Sequence, residues 1–158
     1  MRRPGAETAL RVGAGAVAVA GLAVAGYLTA VRAAGHSPTC VVGGGCATVQ
    51  ESAYAELVGA PVAVLGVLAY LGFLAAALIP GQLGRGLGLF VGIVGAGFSS
   101  WLTWVELVVI GAVCPWCVTS AALMLLSLAL AVARVVVTSP PGRAGPRSVG
   151  DTARSAHP

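Results

Sequence analysis

The sequence predicts an all-α membrane protein, a bundle of four transmembrane helices with a short amphipathic half-helix in the first outer loop. Three observations predict it. Of 158 residues, 58% are hydrophobic and only 9% are charged, more apolar matter than a water-soluble domain of this length can hide. Four long apolar runs interrupt the chain, each near or above the roughly 20 residues that cross a hydrocarbon core. Runs of that length form helices, because the backbone must satisfy its own hydrogen bonds in lipid. Finally, the net charge of +4 comes from nine arginines and no lysine, and these are distributed by topology. Arg2, Arg3 and Arg11 precede the first run, Arg85 lies between the second and third, and Arg134, Arg143, Arg147 and Arg154 close the chain. Only Arg32 falls on the other side. The positive-inside rule then makes both termini cytoplasmic, in a multi-pass protein of the inner (plasma) membrane.

Residues 1–11 read as a cytoplasmic lead. The first span covers 12–33 and is built of Ala, Val and Gly, with Gly13, Gly15, Gly21 and Gly26 as possible close-packing points. Met1-Arg2-Arg3 before this run has the look of a signal peptide. The run exceeds a usual signal core, and its removal would spoil the arginine pattern, so a retained span is expected. Tyr27 near its outer end suits the interfacial belt. The outer loop, 34–60, begins with helix breakers Gly35, Ser37 and Pro38, then carries Cys40 and Cys46 around the glycines Gly43–Gly45. From Ala47 to Val58 the apolar residues Val49, Ala53 and Leu57 share a side with Tyr54 and Val58, and Gln50, Glu51 and Glu56 take the other. That pattern predicts the half-helix, lying on the outer surface over the bundle mouth.

The second span covers 61–79 and contains Tyr70; Ile79-Pro80-Gly81 ends it and Arg85 marks a short inner turn. The third covers 87–113 and carries Trp101, Trp104 and Glu106. An acid inside a membrane helix is costly and faces the bundle interior or a wet cavity. Helical spacing puts Glu106, Ile110 and Cys114 on one face. Glu106, Trp101, Trp104 and Tyr70 are therefore the candidate lining of a ring-shaped ligand's pocket, with plain packing as the competing reading for each. The fourth span covers 115–137, and 138–158, rich in Gly, Pro, Ser and Arg, is expected to be a disordered cytoplasmic tail. His36 and His157 stand alone and receive no role.

The chemistry centres on Cys114-Pro115-Trp116-Cys117 at the mouth of the fourth span. The first turn of a helix has unsatisfied N–H groups and a partial positive charge, and both stabilise a thiolate. Pro115 suits the first helical position. The topology puts all four cysteines at the outer, oxidising face. Two pairs, C-x5-C in the loop and C-x2-C at a helix start, favour a dithiol relay. A four-cysteine zinc site and two static disulfides remain open, and so does a scaffolding role. A relay at the lipid boundary needs an electron terminus, and a membrane quinone is the economical one.

This order of motifs, Cys40-x5-Cys46, then Ser52 six residues on, then a C-x-x-C opening the last span, resembles the vitamin K epoxide reductase family. The run Val109 to Cys117 looks especially like its bacterial members, and the match covers roughly residues 10–135. The resemblance implies a four-helix bundle around a quinone, within residues 12–137 here. It also implies roles. Cys114 and Cys117 would be the active pair, with Cys117 toward the quinone and Cys114 exchanging with the loop. Cys46 would be the shuttle, Cys40 would receive electrons from an external thiol protein, and Ser52 would be the polar residue of the loop helix. The family's quinone-side asparagine and tyrosine, known from vertebrate members, align with Val62 and Ala121 here, which weakens any assignment to epoxide reduction. Some bacterial members carry a fused thioredoxin-like domain; its absence from this chain implies a separate DsbA-like or thioredoxin-like partner. The expectation is thus a thiol oxidase using menaquinone or ubiquinone as substrate, with no metal and no nucleic acid. In a DsbB-type oxidase the C-x-x-C pair comes in the first outer loop, and the order here is the reverse.

Overall fold

The computed structural model of the chain describes residues 4–40, 44–57 and 59–138. Five α-helices account for most of them: α1 (Pro4–Ala33), α2 (Cys46–Gln50), α3 (Val62–Leu78), α4 (Gly81–Trp104) and α5 (Pro115–Thr138). The helix α1 starts well inside the stretch expected to be a lead. Proline suits that first helical position. Three helical segments, Gly5–Ala33, Gly81–Ile110 and Pro115–Thr138, are long and apolar enough to cross a membrane. The fourth apolar helix, α3, has 17 residues, or about 26 Å at 1.5 Å per residue, somewhat less than the roughly 30 Å hydrocarbon core. All of the expected tail beyond Thr138 lies outside the described residues, as does Val58 of the expected half-helix.

Around the bundle, α1 packs on α3 and α5, and α4 packs on the same two from the opposite side. Two buried clusters run along its axis. One gathers Ala14, Ala18, Phe73, Ala77 and Ala131; the other gathers Ala25, Tyr70, Ala96 and Met124. Small residues let the backbones approach, and the decisive stripe is in α4, where Gly84, Gly88, Gly92 and Ala96 recur every fourth residue and are buried. A Cβ on Gly92 would lie 3.1 Å from the Leu128 Cα. Of the α1 glycines expected to mediate packing, only Gly21 meets a neighbour, the Tyr70 ring; Gly13, Gly15 and Gly26 face open space.

One end of the bundle is basic. Arg11 of α1 donates from Nε to the Ala77 carbonyl (3.0 Å) and from Nη2 to that of Leu78 (2.8 Å), and Arg134 donates to Ala76 (3.2 Å). These groups satisfy the carbonyls that the last turn of α3 leaves open. Arg85 pairs with Glu7 at 3.5 Å in the same region. Arg134, counted from sequence among the arginines that close the chain, is only 2% exposed because α5 continues past it.

The outer loop departs from expectation. Helix α2 stops at Gln50, one 3-10 turn follows at Ala53–Ala55, and the chain then forms a two-stranded antiparallel ladder, β1 (Glu56–Leu57) with β2 (Ala60–Pro61). The predicted amphipathic helix over 47–58 is therefore realised only in its first turn, and Tyr54 and Leu57 are exposed. The reason is local. Ser52 is extended and its hydroxyl bonds back to the Val49 carbonyl (2.7 Å), a side-chain substitute for the next helical bond.

The third apolar segment also ends early. Its α-helix gives way to a π-helical turn over Val105–Ile110, and Gly111 (φ 67°) breaks the helix in the left-handed region. Residues 111–114 are irregular, so the span predicted to reach Val113 ends at Ile110.

Candidate redox site

All four cysteines meet at the end of the bundle opposite the arginines. Cys46 and Cys114 are buried in one cluster with Val49, and Cys40, Cys117, Trp116, Ile110 and Ala112 pack against it. Cys40 and Cys46 form a disulfide, while Cys114 and Cys117 are free thiols. Two contacts hold the loop there. Gly45, just before α2, lies so close to the chain ahead of Cys114 that a Cβ would sit 2.6 Å from the Val113 carbonyl oxygen. Trp116, between the two cysteines of α5, donates its indole N–H to the Thr39 carbonyl (3.0 Å), next to Cys40. Tyr27 packs against Trp116 with ring centroids 4.9 Å apart and ring planes inclined at 47°. Arg32, the lone outer arginine, donates to the Gln50 carbonyl and pairs with Glu56 at 2.6 Å, tying α1 to the loop.

The helix start treats the two thiols differently. Cys114, in the segment before α5, accepts the Cys117 N–H on its sulfur (3.4 Å) and the Cys117 thiol donates to it at 2.9 Å. The thiol hydrogen bond from Cys117 holds Cys114 below the usual thiol range. Cys117 faces the other way and lines a cavity of about 460 Å³. The cavity runs between α3 and α4, is bordered by α2 and the 3-10 turn, and is mostly apolar, with Leu65, Val94, Phe98 and Met124 among its walls.

Polar groups collect at the cysteine end of that cavity. Glu106, from the π-helical turn, is 4% exposed, and its Oε2 accepts the Cys114 backbone N–H at 3.2 Å. An α-helical face would have joined Glu106 to Cys114 through Ile110. Instead the π turn and the break at Gly111 bring the carboxyl back against the start of α5. Tyr70 lines the cavity and donates its hydroxyl to the Ser120 carbonyl (2.7 Å). Ser52 lines it from the loop, Val62 from α3 and Ala121 from α5, the last two apolar where vertebrate members of the resembled family carry asparagine and tyrosine.

Trp101 and Trp104 are not in the cavity wall; they are 45% and 54% exposed on the outside of α4, where Trp101 meets Tyr54 and Phe98 edge-on or tilted. Side chains this apolar are placed as readily by lipid as by a ligand. Gln50, on the polar side of the expected loop helix, lines the cavity, and its Nε2 lies 3.7 Å from the Cys117 sulfur. A signal for it was present, since Gln50 follows Cys46 by four residues and shares its face.

The model of the vitamin K epoxide reductase family matches residues 13–132. The chain belongs to that family. A search of curated proteins finds no match to the chain. Membership makes this member of the vitamin K epoxide reductase family a membrane thiol oxidoreductase, and its helices suit a multi-pass position in a lipid bilayer. Among the described residues no group of three or more His, Cys, Asp or Glu is arranged to hold a metal ion.

Proposed function

We propose that the protein is a quinone-dependent thiol oxidase that re-oxidises an extracytoplasmic DsbA-like or thioredoxin-like protein and so supports disulfide formation in exported proteins. In this reading the bundle crosses the inner membrane four times, with both termini in the cytoplasm and the cysteine end outside. The observation that carries it is the double position of Cys117, which is 2.9 Å from Cys114 on one side and part of the cavity wall on the other. A cavity of about 460 Å³ with apolar walls and a few polar groups at one end suits a lipid-soluble ring with an apolar tail. A quinone, menaquinone or ubiquinone, is the substrate of that description, and it supplies the two-electron sink.

Electrons enter when the partner's dithiol reduces the Cys40–Cys46 disulfide, the partner itself leaving as the disulfide. The freed Cys46 thiolate attacks Cys114 in the Cys114–Cys117 disulfide, forming a Cys46–Cys114 bridge and releasing Cys117. Cys40 then resolves that bridge, which restores Cys40–Cys46 and leaves Cys114 and Cys117 as a dithiol. Closure of the Cys114–Cys117 bond passes two electrons into the cavity. Ser52 lies at the loop's contribution to that cavity and is read as positioning it.

The test is the loss of quinone absorbance when reduced partner is added to purified protein. Wild type is expected to bleach the quinone and Cys114→Ala to fail. Cys117→Ala is expected to accumulate the Cys46–Cys114 bridge, formed when the Cys114 thiolate attacks Cys46 in the Cys40–Cys46 disulfide and releases Cys40, and visible as a reducible shift on gels. Continued quinone reduction without that bridge defeats the assigned order.

A further inference from the structure

We propose that Glu106 is the catalytic base for the Cys117 thiol and the carboxyl through which that proton reaches the cavity. The proposal rests on the quinone-oxidase reading above and adds a proton path to it. Glu106 sits in the π-helical turn and is 4% exposed. Its Oε2 accepts the Cys114 N–H at 3.2 Å, it lines the cavity, and Cys117 lines the same cavity from the start of α5. Capping the Cys114 N–H alone needs only a neutral acceptor, and an acid buried in a membrane helix is costly. A glutamine would cap without that cost. Cys117 must lose its proton when the disulfide closes and it shares the cavity wall with Glu106, which gives the carboxyl a task that a neutral cap does not explain. π-helical turns inside α-helices recur at functional sites because they re-aim one side chain. Here that turn brings the carboxyl back to α5.

The step balances. Cys114 as thiolate and Cys117 as thiol become a disulfide, one S–S bond forming and two electrons leaving. The quinone, as substrate, is reduced to quinol by those electrons and two protons. One proton is the Cys117 S–H proton, carried by Glu106; the other comes from the outer solvent, where the partner's dithiol released its own. Other titratable groups nearby are otherwise engaged. Cys114 is in contact with Cys117, Tyr70 on α3 donates to the Ser120 carbonyl, and Arg32 and Glu56 of the rim pair with each other. Gln50, from the loop, is neutral and its amide reaches the Cys117 sulfur.

The experiment uses full-length protein, wild type, Glu106→Gln and Glu106→Asp, pre-reduced and mixed with a short-chain quinone. Glu106→Gln is expected to slow the quinone step by about 100-fold or more and to gain a rate that climbs with pH. Glu106→Asp should restore most of the rate. Formation of the Cys46–Cys114 bridge in a Cys117→Ala background that keeps its Cys40–Cys46 disulfide, by attack of Cys114 on Cys46 with release of Cys40, reports folding, and it should persist with Glu106→Gln. A second readout needs no quinone: the infrared S–H stretch of Cys117, assigned by its loss in Cys117→Ala, should move in Glu106→Gln. A Glu106→Gln protein with the wild-type rate, pH profile and S–H band overturns the relay alone. A wild type that reduces no quinone overturns the oxidase reading and the relay with it.

Discussion

At the scale of single residues, the two thiols of α5 are distinguished by which neighbour each one touches. Cys114 receives the Cys117 thiol hydrogen and the Cys117 backbone N–H at the start of α5, an environment that favours its thiolate. This has a pH consequence with a definite sign. A donor that stabilises the thiolate lowers the thiol's titration point, so losing the donor raises it. Cys117→Ala is expected to move the pH midpoint for Cys114 alkylation upward in the reduced protein, and Cys117→Ser, which keeps a donor, should move it less. Mass spectrometry after timed exposure to a small alkylating reagent reads both. An unchanged midpoint in Cys117→Ala would mean that the 2.9 Å contact does not govern the nucleophile.

At the scale of elements, the loop works because it is pinned to α5 and to the irregular segment before it. The closest approach is at Gly45, where a side chain has no room against the Val113 backbone. Gly45 has ordinary backbone angles (φ −81°), so a substitution there acts through the collision and leaves the local conformation allowed. Gly45→Ala should lift the α2 end of the loop away from Cys114. A displacement near 1 Å at a reacting centre can cost about 100-fold. The expected result is slow formation of the Cys46–Cys114 bridge, with reduction of Cys40–Cys46 by the partner nearly unaffected, followed by quenching and gel analysis. Equal rates in both steps would show that the loop moves freely enough to ignore the contact. Sequence reading of this loop fell short for a physical reason. Periodicity describes an uninterrupted helix, whereas Ser52 closes a local bond to Val49 and the β1–β2 pairing then draws the chain out.

At the scale of the whole molecule, a cluster of three arginines and the sulfurs are at opposite poles. Arg11, Arg85 and Arg134 gather around the end of α3, and the four cysteines surround the start of α5. By the positive-inside rule the arginine end is expected to face the cytoplasm. Intact cells treated with a membrane-impermeant maleimide after mild reduction should therefore show labelled Cys40 and Cys46, with no gain when the membrane is opened. Labelling that appears only after lysis would reverse the orientation and remove the oxidising compartment on which the oxidase reading depends. The same scale explains why α3 tolerates its shorter length. Its last turn is capped from α1 and α5 by arginine side chains, so its carbonyls need neither water nor further helix.

The helical membrane class, the apolar segments and the two cysteine pairs were legible in the sequence, because hydropathy, arginine placement and the C-x-x-C spacing are properties of the chain alone. So was an acid inside the third apolar segment, since Glu106 interrupts an otherwise uncharged run. What Glu106 touches was decided by tertiary structure: a π turn and a left-handed Gly111 changed the helical face, and no periodicity argument contains that change. Folding also put Gln50 at the Cys117 sulfur, placed Trp101 and Trp104 outside the cavity, and buried Arg134 against α3. Each of those outcomes turns on which helix lies beside which, and side chains on a uniformly apolar helix carry little record of their neighbours.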